Sequence, residues 1–152
     1  MRGGRADIFR PLLNIQAKEN RMLIRTLEYA DEHRNVGSEG WDSSRLLLKK
    51  DGVGFSFHIT TLYEGVDNQF WYKNHFEAVY VISGEGWIKD LGTGETHELK
   101  PGSLYVLDQH DRHIVHANKE MKVACVFNPP VSGKETHDED GSYNLDAEEF
   151  ED

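Results

Sequence analysis

Short runs of alternating apolar and polar residues, broken by glycine- and proline-bearing turns, organise most of the chain. Residues 44–49, 54–63, 78–83, 86–90, 95–100, 103–108, 113–116 and 122–128 carry this period-two pattern and read as β-strands. Lys50-Asp51-Gly52, Gly84-Glu85-Gly86, Gly92-Thr93-Gly94 and Pro101-Gly102 supply the turns between them. Met22-Leu23-Ile24-Arg25 reads as a first strand, followed by Thr26 as the N-cap of a short helix through Leu27, Glu28, Tyr29 and Ala30. Helical periodicity is almost absent elsewhere. The pattern predicts an all-β fold, a β-barrel or jelly roll with one or two short helices.

The same pattern divides the chain. Residues 1–21 differ in composition from the remainder of the chain and read as an N-terminal extension, disordered or an annotation artefact, with Met22 a candidate start. Residues 22–138 form the barrel domain, and 139–152 an acidic C-terminal tail. At 152 residues the chain is long enough for one domain with its own core. The net charge of −10 is uneven: residues 132–152 hold nine acidic side chains against one Lys, and residues 1–21 five basic against two acidic. The body lacks a basic stripe, which argues against nucleic acid and anionic membrane surfaces. The acidic end reads as a solvated tail. Cys125 alone cannot form an internal disulfide, and no run is long and apolar enough to span a bilayer, so a cytoplasmic protein is expected. Three Trp, six Tyr and seven Phe suit a pocket with aromatic walls.

The candidate chemistry gathers around one strand. Glu77 heads the run Ala78–Ile82, and Gly84-Glu85-Gly86 reads as the tight turn that ends it. Pro101-Gly102 feeds a second strand carrying Tyr105, and His113 opens the next. This is how a barrel of the cupin type aims oxygen and nitrogen ligands at one metal. Carboxylate, phenolate and imidazole suit a first-row ion such as Fe(II), Mn(II) or Zn(II), with coordination sites left open for Lewis-acid work. The bland alternatives are a solvated Glu and a core Tyr. Ser56, His58 and Thr60 share one strand face, either toward the cavity or toward solvent. Tyr72 and His75 precede Glu77 as further pocket or loop residues. Trp41 and Arg45, four apart, could clamp an anion or form a surface pair. Cys125 and Phe127 alternate on an apolar strand, where a buried Cys is most often a small hydrophobe.

Several longer motifs, in order, carry a resemblance. Trp41-Asp42-Ser43-Ser44-Arg45, Gly54-Phe55-Ser56-Phe57-His58-Ile59-Thr60-Thr61, Asn74-His75-Phe76-Glu77-Ala78-Val79, Asp108-Gln109-His110-Asp111-Arg112-His113, Ala124-Cys125-Val126-Phe127-Asn128-Pro129-Pro130 and Gly133-Lys134-Glu135-Thr136-His137-Asp138-Glu139 resemble ectoine synthase, over about residues 22–143. The resemblance implies a metal-dependent cupin, a carbon–oxygen hydro-lyase that closes N-γ-acetyl-L-2,4-diaminobutyrate to the compatible solute ectoine under osmotic stress. It implies Fe(II) on Glu77, Tyr105 and His113, and a homodimer. It places the substrate against Trp41, Arg45, Thr60, Tyr72, Cys125 and Phe127, with His58 and His75 nearby. Tyr105, Glu135 and His137 are then the candidates for moving protons, and Arg45 for holding the substrate carboxylate. Rival readings are a cupin oxygenase or isomerase, which would favour two His and a carboxylate, a small-molecule sensor, and a structural protein.

Overall fold

The computed structural model describes residues 22–145 and 147–152; the leader, residues 1–21, lies outside them. Thr26 caps helix α1 (Leu27–His33) as expected, its hydroxyl accepting the Tyr29 N–H at 3.1 Å. The helix runs one turn beyond Ala30. The segment before it forms no strand; Arg25 instead reaches the Leu46 carbonyl at 2.8 Å and the Asp51 carboxylate at 2.9 Å.

Eight strands come after the helix: β1 (Asn35–Gly37), β2 (Trp41–Leu47), β3 (Ser56–Leu62), β4 (Asp67–Phe70), β5 (Phe76–Asp90), β6 (Thr96–Leu99), β7 (Leu104–Leu107) and β8 (His113–Asn128). Every pairing between them is antiparallel, in the order β1-β2-β3-β8-β5-β6, with β4 added to β8 and β7 to β5. The β1 and β4 stretches were not legible because they are short and mostly polar. The all-β architecture with one α-helix agrees with the hydrophobic pattern.

The two long strands correct the sequence reading. Gly84-Glu85-Gly86 does not end a strand: β5 runs straight through it for 15 residues, and β8 for 16, each replacing two predicted strands. Their ladder slips register around Val81, Ser83 and Glu85, as bulges do where a strand bends. The glycines are needed for close approach. A Cβ on Gly84 (φ +86°) would lie 2.1 Å from the Glu120 carbonyl oxygen, and one on Gly86 2.0 Å from that of His116. Beyond the bend the strands change partners. Before it, β5 pairs with β7 and β8 continues to β3; after it, β5 pairs with β6 and β8 with β4. The halves close on one interior, where Val79, Val81, Val123 and Phe127 from one meet Ile88, Val115 and Ala117 from the other.

The acidic end is not a free tail. Lys134 N–H bonds the Glu148 carbonyl at 2.8 Å, Trp71 N–H the Gly141 carbonyl at 2.7 Å, and the Asn74 amide the Tyr143 carbonyl at 3.0 Å. Asp152 accepts from the buried Arg34 (Nε, 2.6 Å), from Lys50 and from the Tyr29 hydroxyl. Arg34 also holds Asp51 at 2.8 Å, so one guanidinium joins helix, turn and C-terminal residues. Cations distant in sequence neutralise this segment, which local composition cannot show. No helix among the described residues is long and apolar enough to cross a membrane.

Gly84→Ala should lower stability by about 2 kcal/mol or more, because the left-handed φ and the approach to Glu120 act together. Urea denaturation measures this; a wild-type midpoint would show that the bend relaxes without strain.

Candidate active site

Alternation on three neighbouring strands turns polar groups inward. On β3, Ser56 and His58 are buried and Thr60 half-buried while Phe57 and Ile59 face outward, so the polar face is the inner one. On β5 the buried set is Glu77, Val79 and Val81; on β8 it is Val123, Cys125 and Phe127. Register places His58 beside Arg45 on β2 and Cys125 on β8, and Glu77 beside Phe127. The inward faces meet at an interior cavity of about 30 Å³, room for a water rather than an organic substrate. Trp41, His58, Thr60, Tyr72, Glu77, Tyr105, Cys125, Phe127 and His137 all line it.

Glu77, Tyr105 and Cys125 share the dry end. Burial pushes the Glu77 carboxyl up to about 8, partly offset by a hydrogen bond from Cys125. Burial also raises the Tyr105 phenol and the Cys125 thiol well above their ordinary values, with Glu77 adding to both. Glu77 and Tyr105 sit diagonally on adjacent strands, because Glu77 pairs with Leu107 and Val79 with Tyr105. The His113 ring comes from the other half of the fold, 6.5 Å from the Tyr105 ring. Its Nδ1 bonds the Asp111 carbonyl at 2.9 Å, while its Nε2 is buried without a partner. Burial, chiefly, lowers its pKa, which favours the neutral imidazole that ligation needs. A carboxyl and a phenol on adjacent strands, and a buried imidazole nitrogen that lacks a partner, are donor types that fit a divalent cation; charge there would reverse both shifts. Among the described residues no three of His, Cys, Asp and Glu gather as a metal cluster, so the candidate centre depends on the tyrosine.

The opposite wall is aromatic. His137 stacks on Phe70 (centroids 4.1 Å apart) and Tyr143 (4.5 Å), meets Trp41 edge-on at 5.1 Å, and lies 2.7 Å from the Tyr72 hydroxyl through Nε2. Burial, with Arg45 and His113 adding, lowers its pKa to about 3, so this imidazole is neutral. Tyr143 and Phe70 were missed by sequence reasoning, as were Leu62, Val115 and Val123. Tyr143 sits in a stretch with no periodicity, and Phe70 ends the polar β4; neither carries a local signal.

Three expected pocket residues stand elsewhere. Arg45 is completely buried and does not line the cavity. Its guanidinium donates to the Gly133 carbonyl at 2.6 Å, the Glu135 carbonyl at 2.7 Å and the Tyr143 hydroxyl at 3.3 Å. It therefore clamps the segment carrying His137 and Tyr143, where the sequence reading has it hold an anion. Glu135 also lies off the cavity, its carboxylate accepting the Ser132 and Gly133 N–H groups at 2.6 and 2.7 Å. It shapes the turn beneath that segment. His75 packs edge-on against Phe127 from behind, at 5.8 Å, and faces a separate surface pocket beside His110 and Pro129.

Comparison with known proteins gives the family and the fold. A family described as ectoine synthase matches residues 22–147. The L-ectoine synthase of Saccharophagus degradans is 57% identical over 128 residues, covering 84% of this chain and 97% of that protein. The crystal structure of ectoine synthase from P. lautus superposes with a TM-score of 0.70 at 45% identity, covering 72% of this chain and 80% of that one. A Cupin_2 domain from an XRE-family transcriptional regulator of Enterobacter cloacae superposes with a TM-score of 0.51 over 60% of this chain and 99% of that domain. At 19% identity it shows the cupin fold alone.

The raised Glu77 pKa sets a pH dependence. Glu77 holds its proton to about 8 in the fold but releases it near 4.5 when unfolded. The native state thus binds more protons between those values, and metal-free stability falls as pH rises through that window. Glu77→Gln, uncharged and similar in shape, should gain on the wild type between about pH 5 and pH 8 in chelator-treated protein. Urea melts that stay parallel across that range would remove the burial argument.

Proposed function

The chain belongs to the ectoine synthase family, and from that membership and the cavity we propose that it closes N-γ-acetyl-L-2,4-diaminobutyrate to ectoine with loss of water. It is an enzyme of the L-ectoine synthase type; the substrate, the metal and the residue roles are our reading. We assign Fe(II) to Glu77, Tyr105 and His113, and place the enzyme in the cytoplasm as a homodimer supplying a compatible solute under osmotic stress. Phe76, Tyr80, Ile82, Leu104 and Val106, each 44–63% exposed on the outer face of β5 and β7, offer the apolar strip such a dimer would cover. The observation that carries the reading is the pairing of a buried, protonated Glu77–Tyr105 end with a neutral aromatic end in one cavity.

In this reaction the α-amine attacks the γ-acetamide carbonyl carbon within the same molecule. A C–N bond forms, the carbonyl C–O bond breaks, and the oxygen leaves as water with two protons that began on the α-ammonium group. When bound, iron supplies positive charge for the amide oxygen, which makes a poor electrophile reactive. The chain does the rest. Trp41, Phe127 and the His137 ring face the organic part of the substrate and hold it folded, which removes the entropy cost of ring closure. His137 Nε2, neutral and in contact with the Tyr72 hydroxyl, can take a proton from the amine. Tyr105 would give up its proton on taking the metal, so it would stand beside the departing oxygen as a ligand rather than as the acid. Glu135 is reassigned from proton transfer to positioning, because both its carboxylate oxygens hold backbone N–H groups.

The cavity is too small for this substrate, so the segment bearing His137 and Tyr143 must move to admit it and return to exclude water. Arg45 and Glu135 determine where it returns. Arg45 can clamp it only while both carbonyls stay within reach.

The test is an NMR assay for ectoine with chelator-stripped protein, before and after Fe(II) is restored. Ring closure is expected only with the metal, and Glu77→Ala should lose both iron and activity while keeping its fold. Oxygen uptake without ectoine would favour the oxygenase reading. Arg45→Lys should raise amide exchange over residues 133–143 and lower kcat; a change in KM alone would return Arg45 to substrate binding.

A further inference from the structure

A second cavity, of about 140 Å³, lies on the far side of Tyr105 from the aromatic pocket. Its inner wall includes Tyr105 and His113, two of the three assigned iron ligands. Its other walls include Asp90, Asp111, His97 and Val106. His113 is 1% exposed, with Nε2 lacking any partner, whereas the His97 side chain is 62% exposed. The cavity therefore leads from solvent, past two carboxylates and an imidazole, to the ring of a ligand whose free nitrogen is buried.

The two cavities differ in chemistry. The aromatic pocket is lined mainly by rings and aliphatic groups, with Glu77 its single carboxyl. The second cavity places the Asp90 and Asp111 carboxylates on its wall. Each is oriented by backbone: Asp90 accepts the Gly92 N–H at 2.7 Å, and Asp111 the Gln109 N–H at 3.2 Å. Fixed negative charge beside a cleft raises the local concentration of cations and their arrival rate. No three His, Cys, Asp or Glu side chains converge there among the described residues, so the cavity has no cage to retain an ion.

We infer that this cavity is the entrance through which a divalent metal reaches Tyr105, His113 and Glu77, separate from the opening that admits the organic substrate. The inference rests on the metal centre assigned under the proposed function. Separate entrances let the metal load without displacing the His137–Tyr143 segment.

The test is stopped-flow uptake of Co(II) by chelator-stripped full-length protein, followed by visible absorption. Asp90→Asn/Asp111→Asn should slow uptake roughly tenfold at low ionic strength, with the same final stoichiometry. High salt should shrink the difference. His97→Trp, at the exposed rim, should slow uptake while leaving both carboxylates in place, which guards against damage to the Asp90 turn. Wild-type rates in both variants would overturn the entrance. So would an unchanged rate with lower final stoichiometry, since the carboxylates would then be supporting the ligands. A wild-type protein that takes up no Co(II) and no Fe(II) would remove the metal centre and its entrance together, whereas uptake at equal rates removes the entrance alone.

Discussion

The folding of the β5–β8 ladder onto itself is the constraint on which the site depends. Glu77 pairs with Phe127 near one end of that ladder, and His113 pairs with Asp90 at the other. On a straight ribbon these ends would stand roughly 40 Å apart. The bulges around Gly84 and Gly86 bend both strands, so the two halves face one interior and His113 comes within 6.5 Å of the Tyr105 ring. A side chain at either glycine would strike the β8 backbone. The bend and the candidate metal centre are thus consequences of the same close approach.

The interior this creates is unusually polar for its depth. His58, His75, Glu77, His113, Arg45 and Glu135 are all buried. Burying such groups is costly unless they are partnered or discharged. The molecule uses both routes. Glu77, Tyr105 and Cys125 keep their protons and the histidines stay neutral, whereas Arg45 is partnered by the Gly133 and Glu135 carbonyls. That second route links a fixed strand to the segment that must move, so closure of the site depends on β2 as much as on the segment itself.

Most of the barrel was legible because alternation is a local signal. Thr26 as a helix cap could be read from spacing, whereas the inward face of His58 and Thr60 was one of two open readings until strand register fixed it. Gly84-Glu85-Gly86 was misread because a glycine-rich hairpin turn and a glycine-rich bulge look alike in sequence; only the partner strand distinguishes them. Tyr143 and the docking of Asp152 were illegible for a different reason. Their partners (Arg45, Arg34, Lys50) lie roughly a hundred residues upstream, and nothing periodic marks the segment between. The carbonyl contacts of Arg45 were not legible, since an arginine that binds carbonyls and one that binds a carboxylate have the same spacing.

A catalyst cannot shift the balance between ring closure and hydrolysis, so the closed cavity must act on the barrier. It does so through dielectric. The burial that raises Glu77 and Tyr105 also strengthens any charge placed between them, because few waters are near enough to screen it. The same burial keeps His137 neutral, with its Nε2 held at the Tyr72 hydroxyl. A single wet cavity would weaken both effects. The small volume, the aromatic wall and the Arg45 clamp therefore belong to one device. It keeps water out of the interior that Glu77, Tyr105 and His137 line.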